Sequence, residues 1–376
     1  MHICFPFTGD SVGGSHISTL ALATGLKKCG HKVTIAIHKP GILQRELETL
    51  KLPYQILGIE QNVGQTAGLW GYFSDVKSNF LQIYKFLAEI APDIVHTNDM
   101  RVHLFWTIPA KIRGVSTVWH QRTYFTSSLI ARLIMTMASH TIAISNATLR
   151  TIPGYGKKSI SVISNPVSLV QPETQTIDLV RKKIVEKSVS KFNTKQLIVL
   201  GCFGNLRPLK NPQLFVSLIA YLIHDLGHNV VGAMFGKDEH SQKYELQVLA
   251  KNNDIAGNLI FMGFVRPVEA YMAACDILIA PSTGDAFGRT LIEAMALHVP
   301  VVASDTGGHK EIITHGVNGL LANANDVKGY GKCVDLLIKD QVLREQLVNR
   351  GIETVRGRYT PAIHVLEVTN IYKRLI

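Results

Sequence analysis

The chain has 376 residues, 46% hydrophobic and 18% charged, enough for two domains with sizeable cores and inconsistent with a disordered polymer. Its 39 Lys and Arg against 28 Asp and Glu leave a formal charge of +11, which favours anionic partners. No apolar run has the length of a membrane span, and the start Met1-His-Ile-Cys-Phe-Pro-Phe lacks the basic flank and apolar stretch of a signal peptide, so a cytoplasmic chain is expected.

Strands alternate with helices from end to end, the pattern of parallel sheets in an α/β architecture. In the first part the periodicity predicts strand 1–7, helix 14–29, strand 32–37, strand 54–58, helix 76–90, strand 93–97, helix 101–113, strand 115–120, helix 127–138 and strand 140–145. After Ser164-Asn165-Pro166 the pattern breaks. Residues 171–195 are polar, with room for one amphipathic helix at most, and read as an interdomain segment. A strand over 196–201 opens a second alternating series. Within it, 277–280 and 299–303 read as buried strands flanking a short helix over 289–297. In the tail, Ile363, Leu366, Val368, Ile371 and Leu375 recur at helical spacing.

Other chemistries find little support. Cys4, Cys29, Cys202, Cys275 and Cys333 are scattered and never form a Cys-x-x-Cys pair, so neither a disulfide framework nor a zinc site is indicated. Nucleic acid is set aside, because there is no recognisable module and no basic stripe studded with aromatics. The clusters Lys27-Lys28 with Lys32, Lys157-Lys158 and Arg181-Lys182-Lys183 suit an anionic membrane surface, each cation contributing about 1 kcal/mol there. They read equally well as solvated helix faces.

The densest segment is Pro281-Ser-Thr-Gly-Asp285-Ala-Phe-Gly-Arg-Thr-Leu-Ile-Glu293-Ala-Met-Ala-Leu-His-Val-Pro300-Val-Val-Ala-Ser-Asp-Thr-Gly307-Gly308-His-Lys-Glu311. Asp285 to Thr290 fall in a loop at the carboxyl end of a predicted strand, where open α/β sheets bind ligands. Gly284 and Gly288 let the backbone approach a ligand, and the N–H groups of Phe287, Gly288, Arg289 and Thr290 at the helix start favour an anion such as a diphosphate. An acid beside that phosphate would be repelled, so Glu293, one turn inside the helix, suits sugar or ribose hydroxyls. Taken singly, Asp285 reads as well as a turn cap and Glu293 as a solvated helix position.

The segment resembles the signature of family 4 retaining glycosyltransferases of the two-domain GT-B type: Pro-Ser, then Glu-Gly-Phe-Gly, a second Glu eight positions after the first, Ala-Met-Ala, Pro-Val-Val and Gly-Gly-x-x-Glu. Here Asp285 replaces the first Glu, Ala286 a Gly, and Leu297-His298 a common Cys-Gly. The resemblance extends over nearly the whole chain. It implies two Rossmann-like parallel-sheet domains facing a cleft, with the final helix crossing back onto the first. The domains are then expected over 1–168 with a closing helix over 360–376, and over 169–359.

Site roles follow from the same resemblance. Gly13 and Gly14, after the first strand, match a loop lying against donor phosphates or acceptor. His120 matches a strand-end histidine that contacts the donor sugar, although Gln121 and Arg122 follow where the family often has Asp. His96 and Asn98 end a neighbouring strand. In Gly204-Asn-Leu-Arg-Pro-Leu-Lys210, Lys210 matches the cation that stabilises the leaving diphosphate, while Asn205 stands where Arg is usual and Arg207 is an alternative cation. The resemblance thus implies a nucleotide-sugar donor, UDP- or GDP-linked, and a saccharide or lipid-linked acceptor. It makes His120, Lys210 and Asp285 catalytic, and gives Gly13, Gly14, Asn205, Arg207, Phe287, Gly288, Arg289, Thr290 and Glu293 to the donor. No metal or cofactor is implied, since fixed cations serve the diphosphate. The implied setting is cell-surface polysaccharide or glycoconjugate synthesis at the inner membrane face. A nucleotide-sugar epimerase or hydrolase, a nucleotide-linked oxidoreductase and an inactive binding protein are the competing readings.

Overall fold

The apolar runs read from the sequence become strands that are buried on both faces, as parallel sheets require. The computed structural model describes residues 1–59, 69–125, 128–154, 159–188, 197–239 and 241–376. In chain order the strands are β1 (His2–Phe7), β2 (Lys32–Ile37), β3 (Tyr54–Ile56), β4 (Ile94–Thr97), β5 (Ser116–Gln121), β6 (His140–Ala143) and β7 (Ile160–Val162). They continue with β8 (Ile198–Phe203), β9 (Val230–Phe235), β10 (Leu259–Gly263), β11 (Ile277–Ala280), β12 (Val301–Ser304) and β13 (Leu320–Ala322). The first seven form one sheet in the order β3-β2-β1-β4-β5-β6-β7, and the last six another in the order β10-β9-β8-β11-β12-β13. Every named strand pair is parallel.

The chain divides into two compact units, Met1–Pro166 with Pro361–Ile376, and Val167–Thr360. Each has its own core. In the first unit, Ile3, Phe5, Phe7, Leu22 and Leu26 pack with Val365, Val368, Ile371 and Tyr372 of the final helix Pro361–Lys373. In the second, Phe215, Ile219, Met234, Val302 and Tyr330 form the centre. Strand order reverses between β1 and β4 in one sheet and between β8 and β11 in the other. These switch points open crevices beyond the strands' carboxyl ends. The loops after β1, β4, β8 and β11 lie there, and they carry most of the residues singled out above.

Several elements depart from the sequence reading. A helix Ile42–Thr49 was not expected; it buries Leu43 and Leu47, one turn apart, and has Gly41 at its N-cap with no side-chain capping bond, so it is short and lacks a start signal. The edge strand β7 is three residues long and only partly buried. The helix Leu69–Ile90 begins before the expected residue 76. Of residues 171–195, those up to 188 are described, and they are not a free connection. The helix Thr174–Lys187 belongs to the second unit and buries Val180 and Ile184, and Arg181 bonds the carbonyls of Ala274 and Leu197 and pairs with Asp276 at 2.8 Å. Arg181 is therefore engaged within the protein, while Lys157 and Lys158 lie outside the described residues.

The final helix packs against Gly14–Lys28. A Cβ at Gly25 would lie 2.4 Å from Val365 Cγ2. Gly25→Ala should therefore lower unfolding stability by about 1–3 kcal/mol through overpacking, and adding Val365→Ala should recover part of the loss; additive losses in denaturant titration would contradict this packing.

Candidate functional site

In the second unit, β11 runs into a turn pinned to the loop after β8. The Leu209 carbonyl accepts from the Thr283 N–H at 2.9 Å and from Ser282 Oγ at 2.8 Å. A 3₁₀ turn over Pro208–Lys210 then presents Lys210, whose Nζ donates to Asp285 Oδ2 in an ion pair. Beyond the loop, the helix Arg289–Ala296 starts from Gly288, a cap residue with φ of 102° and no side chain to satisfy the first-turn N–H groups. Lys210, Asp285, Asn205, Thr290 and His309 line one pocket together with the ends of β8 and β11.

His309 is a residue that sequence reasoning passed over. Its imidazole is buried, with Nδ1 2.9 Å from Ser304 Oγ and Nε2 3.8 Å from Asp285 Oδ2. Burial opposes ionisation of Asp285, but His309 and the charge of Lys210 outweigh it and hold the carboxyl below the usual carboxylate range. The backbone is locked at the same place. The Gly308 N–H donates to the Asp285 carbonyl at 2.8 Å, and a Cβ on Gly308 would lie 2.5 Å from Phe287 Cα.

The remaining sequence candidates in this unit have other partners. Asn205 does not act as a substitute cation: its Nδ2 donates to Glu239 Oε1 at 2.6 Å, and its Oδ1 accepts from the Lys237 N–H at 3.1 Å. Arg207 is half-exposed and pairs with the same Glu239, Nε donating to Oε2 at 2.6 Å. Glu239 thus draws Arg207 to the rim, outside the pocket lining. Glu293 lies 2.6 Å from Arg289 Nε one turn away; burial raises its carboxyl pKa despite that cation. Phe287 turns its ring into the core, edge-on to Tyr359 at 5.9 Å, and its N–H donates to Asp285 Oδ1 at 3.4 Å.

In the first unit, Gly13 and Gly14 begin the helix Gly14–Lys28, and the Gly13 N–H donates to His16 Nδ1 at 3.2 Å. The loop before them is closed by Asp10, which accepts from Thr8 Oγ1 at 2.6 Å and from Arg101 at 2.7 and 3.1 Å. His120 is fully buried near the end of β5. Arg122 Nη2 lies 3.2 Å from its Nδ1; because guanidinium has no acceptor, that nitrogen must accept. His120 then carries its proton on Nε2, which has no hydrogen-bond partner among the described residues. By the same counting His96 donates from Nε2 to His120 at 3.1 Å and accepts at Nδ1 from the Tyr372 hydroxyl at 2.5 Å. Arg122 is itself held by Asn98 Oδ1 at 3.2 Å and by Asn165 Oδ1. Its role had one signal in the sequence, a charged residue directly after a buried strand.

The structure therefore gathers Asn205, Lys210, Asp285 and Thr290 around the second unit's pocket. It places Gly13, Gly14 and His120 at the carboxyl end of the first unit's sheet. Among the described residues no cluster of His, Cys, Asp and Glu could hold a metal ion.

Comparison with known proteins adds the chemical setting. The profile described as glycosyl transferases group 1 matches residues 182–354, and that of glycosyltransferase family 4 matches residues 12–171. The N-acetyl-alpha-D-glucosaminyl L-malate synthase of Bacillus anthracis is 23% identical over 98% of this chain and 95% of its own. The UDP-Gal:alpha-D-GlcNAc-diphosphoundecaprenol alpha-1,3-galactosyltransferase of Escherichia coli is 24% identical over 75% of this chain and 76% of its own. Among solved structures, HepE of Anabaena in complex with UDP-glucose superposes with a TM-score of 0.82 at 20% identity, covering all of both chains.

The buried histidines of the first unit make stability depend on pH. Burial lowers His16 to about 4 and both His38 and His364 to about 3, against an ordinary 6.5, and burial with the charge of Arg122 keeps His96 and His120 neutral. As pH falls through 6.5 the unfolded chain takes up protons that the folded one refuses, so stability is lost progressively between about 6.5 and about 3. The unfolding midpoint should fall from about pH 7 to about pH 5; a midpoint that holds or rises would contradict neutral burial.

Proposed function

The chain belongs to the group 1 glycosyltransferases of family 4, with the two Rossmann-like domains of the GT-B fold, and from that premise we propose that it moves a sugar from a nucleoside-diphosphate donor to a hydroxyl of a glycan or lipid-linked acceptor, with retention at the anomeric carbon. The second unit, 167–360, takes the donor, and the first takes the acceptor. The observation that carries this reading is Lys210 facing a pocket beside the start of Arg289–Ala296. A cation and first-turn N–H groups suit a diphosphate.

Charge develops on the diphosphate as the glycosidic bond breaks, and Lys210 with the N–H groups around Gly288 to Thr290 stabilises it. Asp285 orients the sugar at the reacting carbon. Glu293 accepts from ribose hydroxyls with the lone pairs that Arg289 leaves, and His120 offers its Nε2 proton to an oxygen of the sugar. The acceptor proton passes to the departing phosphate oxygen, and the new bond forms on the face the leaving group vacates. Arg207, paired to Glu239, serves the rim rather than the reacting centre.

A UDP-linked donor is supported by the Escherichia coli enzyme, named for UDP-Gal, and by the Anabaena structure, which holds UDP-glucose, and a lipid-diphosphate acceptor by the former's named acceptor. A basic chain for such an acceptor meets anionic lipid, and the half-buried helix Leu129–Met137 exposes Leu129 and Leu133. No described helix is long and apolar enough to cross a membrane. Binding to phosphatidylglycerol vesicles should be measurable by flotation at low salt and weaken as salt rises; its absence at low salt would remove the membrane surface from this scheme.

The direct test is a panel of UDP- and GDP-sugars, scored for nucleotide release that depends on an added saccharide or lipid-linked acceptor. Lys210→Ala should cut turnover about a hundredfold or more with the fold intact, and Glu293→Gln should mainly raise the donor KM. Parent-like turnover in Lys210→Ala would remove that lysine from the reaction. Acceptor-independent release would indicate a hydrolase, and interconversion of the donor an epimerase.

A further inference from the structure

Asp285 is shorter by one methylene than the acid usual at its position, and the loop that carries it is held at both ends. Its carbonyl accepts from Gly308, and Gly308 lies against the Phe287 backbone. At the other end of the loop, a Cβ on Gly288 would lie 2.6 Å from His309 Cδ2. The carboxylate has its own limits, with Lys210 on Oδ2 and His309 Nε2 3.8 Å from the same oxygen. His309 in turn is fixed. It is buried, its Nδ1 meets Ser304 Oγ at 2.9 Å, and Ser304 is itself fully buried at the end of β12. Thr306 Oγ1, 3.0 Å from Ser304 Oγ, donates to the Ser282 carbonyl at 3.0 Å and ties this segment to the turn after β11.

We propose that His309 is the positioning residue matched to the short acid: the buried imidazole occupies the depth into which a longer side chain would extend, and it holds Asp285 against Lys210 in the orientation that meets the donor sugar. The proposal rests on the donor site described above, and it adds a residue that acts through Asp285 rather than on the substrate. Asp285 and His309 are then a coupled pair. Lengthening the acid alone drives it against the ring or displaces the lysine, and removing the ring alone takes away one of the groups that fix the acid.

A double-mutant cycle tests this. Asp285→Glu and His309→Ala should each lower kcat about tenfold or more with little change in donor KM, as expected when an interaction made in the transition state is lost. The combined Asp285→Glu, His309→Ala protein should be about tenfold more active than Asp285→Glu alone, a coupling of neighbours that independent sites do not show. His309→Gln, which keeps an N–H donor toward Asp285, should retain more kcat than His309→Ala and guards against a folding artefact. Parent-like activity of Asp285→Glu, or a double variant no better than the product of the single effects, would overturn the pairing. The same cycle is read in thermal unfolding midpoints without substrate, where the two changes should again compensate; additive midpoints would overturn the pairing. That second reading is independent of turnover. A parent that transfers no sugar therefore refutes the proposed activity and still leaves the pairing to be decided by the midpoints.

Discussion

The ion pair between Lys210 and Asp285 is the interaction on which the second unit's site depends. A half-buried carboxylate costs desolvation free energy, and its partner must recover that by Coulomb attraction at a lowered dielectric. Lys210 and His309 do so together, and Asp285 stays ionised. The pair also joins two loops that are distant in sequence, the one after β8 and the one after β11, at the switch point of the sheet. Lys210 offers three donors, so it can hold the acid and still reach an anion in the pocket. This is the arrangement a leaving diphosphate needs, a cation already fixed before charge develops.

The first unit solves a related problem with neutral groups. Arg122 is buried among the oxygens of Asn98 and Asn165 and the Nδ1 of His120. Its charge, added to burial, prevents the neighbouring histidines from protonating. Each ring therefore has a defined donor and a defined acceptor, and the final helix completes the chain through Tyr372. A ligand hydroxyl is read by such fixed directions more selectively than by exposed charge.

Much of this was legible in the sequence because parallel strands are buried on both faces and leave continuous apolar runs, as in Val199 to Phe203 and Ile277 to Ala280. The motif from Pro281 to Glu311 placed Asp285 and Glu293 in a loop and the following helix, and the resemblance pointed to Lys210 and His120. Short elements with two buried residues, such as Ile42–Thr49, leave no such trace. Partner choice was less visible still. That Arg207 turns to Glu239 and that His309 backs Asp285 are consequences of tertiary position. A histidine after a Gly-Gly pair gives no hint of the acid 24 residues earlier in the chain.

The most direct measurement is a crystal structure of the protein with bound UDP or GDP. The β-phosphate should lie within hydrogen-bonding distance of Lys210 Nζ and of the N–H groups that open the helix Arg289–Ala296, with Asp285 still paired to Lys210 and the ribose beside Glu293. A nucleotide bound elsewhere, or one whose diphosphate lies away from Lys210, would contradict the assignment of the second unit's pocket as the donor site.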